Sequence, residues 1–219
     1  MKNSKLRRIL LLVACAVLLV SLSVGATLAY LTSTTETVKN TFTVGNVNIT
    51  LDEAEVDEYG KNPNGRTEDG NEYKLLPGHV YAKDPTVTVK GTSEDCYVRI
   101  VLKITNYDKL QAILGADVKP QDLVNGTWDS ASWPCAGYEI KDGVATCEFR
   151  YKEVVEKSDS DTKLAALFTE IKIDGAKVTE KNIGTLEEVE IQIQAHAIQA
   201  DGFADAAAAW AAYSTQNAN

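Results

Sequence analysis

The sequence predicts an all-β protein: a jelly-roll-like antiparallel β-sandwich with short peripheral helices and a helix at its C-terminus. Apolar and polar residues alternate in two segments, 97–105 and 189–197, which gives each a buried face and a wet face. Gly, Pro, Asn or Asp bounds every predicted strand. The predicted strands are Thr41–Leu51, Thr86–Val89, Tyr97–Thr105, Val144–Tyr151, Leu167–Ile173 and Val189–Ala197.

The phase of the alternation predicts which side chains enter the core. In Thr41–Leu51 the phase slips at Gly45, so this strand is expected to contain a β-bulge. In Tyr97–Thr105 the predicted core residues are Val98, Ile100, Leu102 and Ile104, and the predicted solvent-facing residues are Arg99, Lys103 and Thr105. His196 is expected on the solvent side of the last strand.

Two segments follow a helical period instead. Asp108–Gly115 places Leu110, Ile113 and Leu114 on one face and ends at a glycine, which predicts a short crossover helix. Gly202–Tyr213 carries Phe203 and Trp210 on one stripe. Because large aromatic side chains are costly to leave in water, this helix is expected to pack on the sandwich.

The first 29 residues have the pattern of a signal peptide. A basic tip at Lys2–Arg8 precedes the apolar run Ile9–Val24, and small residues at Thr27 and Ala29 suit a peptidase. Cleavage is expected between Ala29 and Tyr30. The alternative is a retained membrane anchor, since apolar character continues to Leu31.

Removal of the signal peptide would leave a strongly acidic chain. The segment carries four basic and no acidic residues, so the net charge changes by four, from −9 to −13. Such a charge repels phosphate backbones and anionic lipid, which argues against nucleic-acid binding and against membrane contact other than through the leader. The remaining chain is predicted to comprise a free segment, residues 30–40, and one sandwich domain, residues 41–219.

The acidic segment Asp52–Glu72 is expected to form a long exposed loop or a weak hairpin. It carries eight carboxylates and the turn sequence Asn62–Gly65. Lys157–Asp161 is expected to form a second, smaller loop. The two loops offer oxygen ligands for calcium, but neither has EF-hand spacing, so solvated carboxylates are favoured and no cofactor is predicted.

The histidines and cysteines do not predict a catalytic site. His79 is expected in a turn, and the His-Glu-x-x-His pattern of zinc peptidases is absent from the sequence. Cys96 is expected to be buried and inert, whereas Cys135 and Cys147 could be linked across a hairpin. We therefore predict neither catalytic nor metal-ligating residues.

The segment Tyr30–Asn40 is a candidate donor strand. It is rich in threonine, prone to β structure and free of Pro and Gly, and cleavage would make it the new N-terminus. Added to the sheet of another copy, it would form main-chain hydrogen bonds while Tyr30, Leu31 and Val38 fill side-chain pockets. A disordered tail or an ordinary first strand of its own domain are the alternatives.

Five stretches of the sequence resemble TasA/camelysin proteins of Gram-positive bacteria. They are the leader end Thr27–Thr32, the strand Asn40–Leu51, the segment Leu76–Val87 with the run Cys96–Ile100, and Ala195–Gly202 before the alanine-rich helix. The resemblance implies cleavage by a W-type signal peptidase, a jelly-roll fold, and export to a biofilm matrix or the cell surface. It also implies assembly with copies of itself or related matrix proteins, through a donor at Tyr30 to about Lys39.

We expect a secreted, non-enzymatic structural protein that forms fibres once its leader is cut. Camelysins are also classed as metallopeptidases, which makes a surface metallopeptidase one alternative. The other is a monomeric adhesion or ligand-binding module, with a site lined by aromatics such as Tyr59, Trp128, Trp133 or Tyr138.

Overall fold

The computed structural model describes residues 45–124, 127–186 and 188–216. The predicted signal peptide, the candidate donor segment and the first four residues of the predicted strand Thr41–Leu51 lie outside these ranges. Within them, the first strand begins at Ile49, and residues 45–48 are not in a strand.

The described residues form ten strands, two α-helices and two short 3-10 helices. The strands are β1 Ile49–Ala54, β2 Arg66–Thr67, β3 Val80–Ala82, β4 Thr86–Val89, β5 Cys96–Ile104, β6 Cys135–Lys141, β7 Val144–Arg150, β8 Thr162–Lys163, β9 Glu170–Lys172 and β10 Ile191–Gln199. The α-helices are α1 Tyr107–Leu114 and α2 Ala206–Gln216, and the 3-10 helices are Pro120–Leu123 and Ile183–Leu186.

Every strand pairing is antiparallel. One four-stranded sheet has the order β2-β1-β4-β8, a second has the order β10-β5-β7-β6, and β3 pairs with β9. This arrangement confirms the all-β prediction with peripheral helices and a C-terminal helix, and it is sandwich-like because one hydrophobic core includes residues of both larger sheets. The jelly-roll connectivity stays a prediction.

The core lies between the inward faces of β4, β5 and β7. Val98, Ile100, Leu102 and Ile104 are at most 1% exposed, which confirms the predicted phase of β5. On the same face of the sheet, the neighbouring side chains of β7 are Ala145, Cys147 and Phe149, which are all fully buried. Trp128 meets the Phe149 ring edge-on with a centroid distance of 5.4 Å, so large aromatics close the core beside β7.

Helix α2 covers part of the face of β5 and β10 that the sequence pattern predicts to face solvent. Arg99 is buried rather than solvent-facing, because its guanidinium lies under the Trp210 ring. The helix starts at Ala206, later than predicted, where the Asp205 carboxylate accepts a 2.8 Å hydrogen bond from the Ala208 N–H. Such an N-cap fixes a helix start. Phe203 precedes the helix and is half-buried, whereas Trp210 is buried as predicted.

The predicted strand Leu167–Ile173 shortens to β9, which comprises only Glu170–Lys172. Leu167 and Phe168 are fully buried outside any strand. The Thr127 hydroxyl accepts hydrogen bonds from the N–H groups of Thr169 and Glu170, at 3.3 and 3.0 Å. These N–H groups are therefore satisfied by a side chain instead of a neighbouring strand.

Candidate functional site

The predicted cleavage residues, Ala29 and Tyr30, and the predicted assembly residues, Tyr30, Leu31 and Val38, lie outside the described residues. Their roles therefore stay predictions. The described part of the chain contains the edges of the sheets, which are the sites where an added strand would pair.

Strand β6 is an exposed edge of its sheet. It pairs with β7 alone among the described strands, and six of its seven residues are exposed. Tyr138 is 46% exposed and Ile140 is 41% exposed. An exposed strand edge with apolar side chains is a template for pairing with another chain.

A tight turn and helix α1 hold this edge in place. Lys141 pairs with Val144, and the two turn residues between them, Asp142 and Gly143, have φ values of 52° and 74°. Positive φ at both positions is the signature of a hairpin turn that matches strand twist. The Tyr107 N–H, at the start of α1, donates a 2.7 Å hydrogen bond to the Gly143 carbonyl.

A β-bulge at the start of β6 brings two thiols together. The pairing register shifts between Cys135 and Gly137, and the Sγ atoms of Cys135 and Cys147 are 3.3 Å apart. Both cysteines are free thiols in this structure. Burial raises the pKa of the Cys147 thiol, with the nearby Cys135 adding to the effect. Cys96 is fully buried as predicted, and burial raises its pKa to about 11.

Strand β10, the opposite edge of the same sheet, is less accessible than β6. It lies close to β1 and is contacted by α2. The prediction that His196 faces solvent is wrong, because its ring stacks on Tyr213 of α2 at a centroid distance of 5.1 Å. Burial, together with the positive charge of Arg99, lowers the pKa of His196.

The acidic segment forms the weak hairpin that is one of its two predicted forms, because β2 pairs antiparallel with the end of β1. Asp52–Ala54 belongs to β1, and Arg66 of β2 forms ion pairs of 2.7 Å with Asp52 and 2.8 Å with Asp84. The Asp57 carboxylate accepts hydrogen bonds from the N–H groups of Lys61 and Tyr59, and the bond from Lys61 contributes most to lowering its pKa. Several carboxylates predicted to be solvated therefore have protein partners.

His79 lies in a turn as predicted. Its N–H donates to the Leu76 carbonyl at 3.2 Å, and its Nε2 lies 2.8 Å from the Tyr59 carbonyl oxygen. The two histidines do not meet, and in the described ranges no three His, Cys, Asp or Glu side chains are grouped as a metal site would require.

The aromatic residues of the adhesion alternative do not come together as a platform. Trp133 is fully buried, and the indole N–H of Trp128 donates a 2.8 Å hydrogen bond to the Trp133 carbonyl. Tyr138 is on β6, and the Tyr59 ring lies edge-on to the His79 ring at a centroid distance of 6.5 Å. None of the helices within the described residues has the length and apolar character to cross a membrane.

Comparisons with protein-family models, with curated proteins and with solved structures found no match. The resemblance to TasA/camelysin proteins therefore stays a prediction.

Proposed function

We propose that this chain is a secreted, non-enzymatic structural protein of a biofilm matrix or cell surface, similar to TasA/camelysin proteins. A W-type signal peptidase would release residues 1–29, and the new N-terminal strand of one copy would then add to edge strand β6 of the next. The observation that carries the proposal is the exposed seven-residue edge of β6.

Strand addition suits this edge chemically. The outer N–H and C=O groups of β6 would pair with the backbone of the incoming segment, which supplies affinity without a specific sequence. Tyr138 and Ile140 offer apolar surface for side chains such as Leu31 and Val38. Burial of this apolar surface would add to the stability of the contact.

The geometry of such a contact favours a fibre. Donor and acceptor are different surfaces of the same chain, so the contact is head-to-tail, and it extends into a fibre where the rotation between copies does not close a ring. The donor segment carries Glu36, Lys39 and, after cleavage, the new α-amino group, so it bears no net negative charge. The segment itself is therefore not repelled by the negative charge of the neighbouring copy.

Cleavage would act as the switch for assembly, because a leader embedded in the membrane keeps Tyr30 from reaching another copy. Protein beginning at Tyr30 is expected to form filaments visible by negative-stain electron microscopy, and protein beginning at Thr41 is expected to stay monomeric. Equal behaviour of the two forms would refute the proposal.

The metallopeptidase alternative has its own assay. The purified protein beginning at Tyr30 is expected to leave casein intact. Casein cleavage that a metal chelator abolishes would replace the structural proposal with an enzymatic one.

A further inference from the structure

A buried lysine, a buried glutamate and an asparagine meet beside the first sheet. Glu53 lies in β1, Lys83 follows β3, and Asn71 lies in the connection after β2. Glu53 is 5% exposed and Lys83 is 8% exposed, while Asn71 is half-buried. Side chains of lysine and glutamate are almost never this buried unless they are paired.

One carboxylate holds both other side chains. The Lys83 ammonium donates a hydrogen bond to Oε2 of Glu53, and the Asn71 Nδ2 donates a 2.8 Å hydrogen bond to Oε1. The Lys83 amine and the Asn71 carboxamide are therefore both hydrogen-bonded to the Glu53 carboxylate, a group that can transfer protons.

The asparagine carboxamide is also fixed from its other side. Its Oδ1 accepts a 2.9 Å hydrogen bond from the Val56 N–H, and its Nδ2 donates a second one, of 2.9 Å, to the Ala54 carbonyl. The Val56 N–H points at the atom on which negative charge would develop if a nucleophile attacked the carboxamide carbon.

Aromatic rings shield the cluster from water. The Tyr73 ring centroid lies 5.9 Å from the Lys83 Nζ, and the Tyr73 hydroxyl donates to the Ala82 carbonyl at 3.0 Å. Tyr73 packs edge-on against Tyr81, with ring centroids 5.3 Å apart. In such surroundings the attraction between the two charges offsets little of the free energy that their removal from water costs. A reaction that neutralises the ammonium is therefore favoured.

We propose that Lys83 and Asn71 form an intramolecular isopeptide bond, with Glu53 as the proton-transfer group. This inference does not depend on the proposed function. The bond would tie the connection after β2 covalently to the end of β3.

The reaction needs no oxidant and no other reactant. The Lys83 ammonium passes a proton to Glu53, and the freed Nζ electron pair attacks Cγ of Asn71 while the Val56 N–H stabilises the charge on Oδ1. The Cγ–Nδ2 bond then breaks and ammonia leaves. Of the two protons that Nζ loses, one completes the ammonia and the other stays on Glu53. One amine and one carboxamide give one secondary amide and one ammonia.

Peptide mapping of the folded protein beginning at Tyr30 tests the bond. Trypsin releases residues 67–74 by cutting after Arg66 and Lys74, and it does not cut after an acylated Lys83, so residues 75–90 survive intact. We expect these two peptides joined through Lys83 and Asn71, at their summed mass less one ammonia. Separate peptides of full mass, with normal cleavage after Lys83, would overturn the proposal.

Variants test which side chains the joined peptides require. Asn64→Ala removes a carboxamide outside the cluster, so it is the matched control and should retain the joined peptides. Glu53→Gln should retain Lys83 and Asn71 but leave them unjoined. Should Glu53→Gln fail to fold, Asn71→Asp provides the second measurement. It should yield the joined peptides with loss of water, and full-mass separate peptides from folded Asn71→Asp would count against the proposal.

Discussion

The guanidinium carbon of Arg99 lies 4.5 Å from the ring centroid of Trp210. It also lies 4.7 Å from the Tyr213 ring centroid, while Nη1 of Arg99 donates to Glu148 at 3.2 Å. Arg99, a strand residue predicted to face solvent, is thus the side chain against which the C-terminal helix packs. Cations over aromatic faces are more strongly attracted when water is excluded, as it is here.

Truncation of Trp210 should destabilise the protein markedly. Trp210→Ala removes a buried indole and leaves the Arg99 guanidinium without its main aromatic cover, so we expect a loss of about 3–5 kcal/mol in the free energy of unfolding. Urea denaturation followed by circular dichroism measures it. The exposed Tyr138→Ala is the control, with an expected change within about 0.5 kcal/mol. Equal effects of the two changes would mean that α2 adds nothing to the fold.

His196 should make the protein less stable in mild acid. Burial and the Arg99 charge lower its pKa in the folded protein, so the unfolded chain binds a proton more readily. The stabilisation is fully present above the unfolded-state pKa of about 6.5 and is lost as pH falls through the lower folded-state pKa.

Urea denaturation at about pH 7.5 and about pH 5.5 compares wild type with His196→Gln. The variant should lose less stability between the two pH values. Gln194→Asn, an exposed change on the same strand, should retain the wild-type difference. If His196→Gln retains it as well, another group is responsible for the acid sensitivity.

Cys135 and Cys147 should form a disulfide under oxidising conditions. Their sulfurs are 3.3 Å apart, and with oxidised glutathione each thiol would lose a proton while two electrons pass to the glutathione disulfide. The link would close a short loop and add roughly 2–3 kcal/mol to the free energy of unfolding.

Thiol titration of the denatured protein checks this link. Protein beginning at Tyr30 has three cysteines, so one free thiol should remain after oxidation. Cys135→Ser should retain its two thiols under the same treatment. Three free thiols in oxidised wild type would exclude the link.

The long alternating strands could be predicted because their pattern is local. The segments assigned to β4, β5 and β7 carry a buried residue at every second position, and the structure places them within about a residue of the predicted bounds, whereas β10 begins and ends two residues later than predicted. Strand β6 is not among the predicted strands because it has no buried face to produce such a pattern, although the possible link between Cys135 and Cys147 implies the hairpin that the structure shows. The very short β8 exists only through its pairing with β4, which local sequence does not reveal.

The charged cluster could not be predicted for a similar reason. Glu53 and Lys83 are 30 residues apart, and either alone reads as a solvated residue. The aromatic stripe of α2 predicts that this helix packs on the sandwich, but such a stripe does not specify which surface of the sandwich the helix covers. The sequence pattern therefore predicts that Arg99 and His196 face solvent, although the helix lies over them.

A charge on the β6 edge should weaken fibre formation. Ile140→Lys, in protein beginning at Tyr30, replaces an exposed apolar contact with a charge of the kind that blunts strand edges. A loss of about 1.4 kcal/mol per contact would raise the concentration needed for filaments about tenfold. Sedimentation and negative-stain microscopy over a concentration series measure this.

Val154→Lys changes a similarly exposed residue outside the named strands, 36% exposed, and should assemble like wild type. If Ile140→Lys forms filaments at the wild-type concentration, β6 is not the acceptor strand. The role of the N-terminal segment is tested separately, by comparing protein that begins at Tyr30 with protein that begins at Thr41.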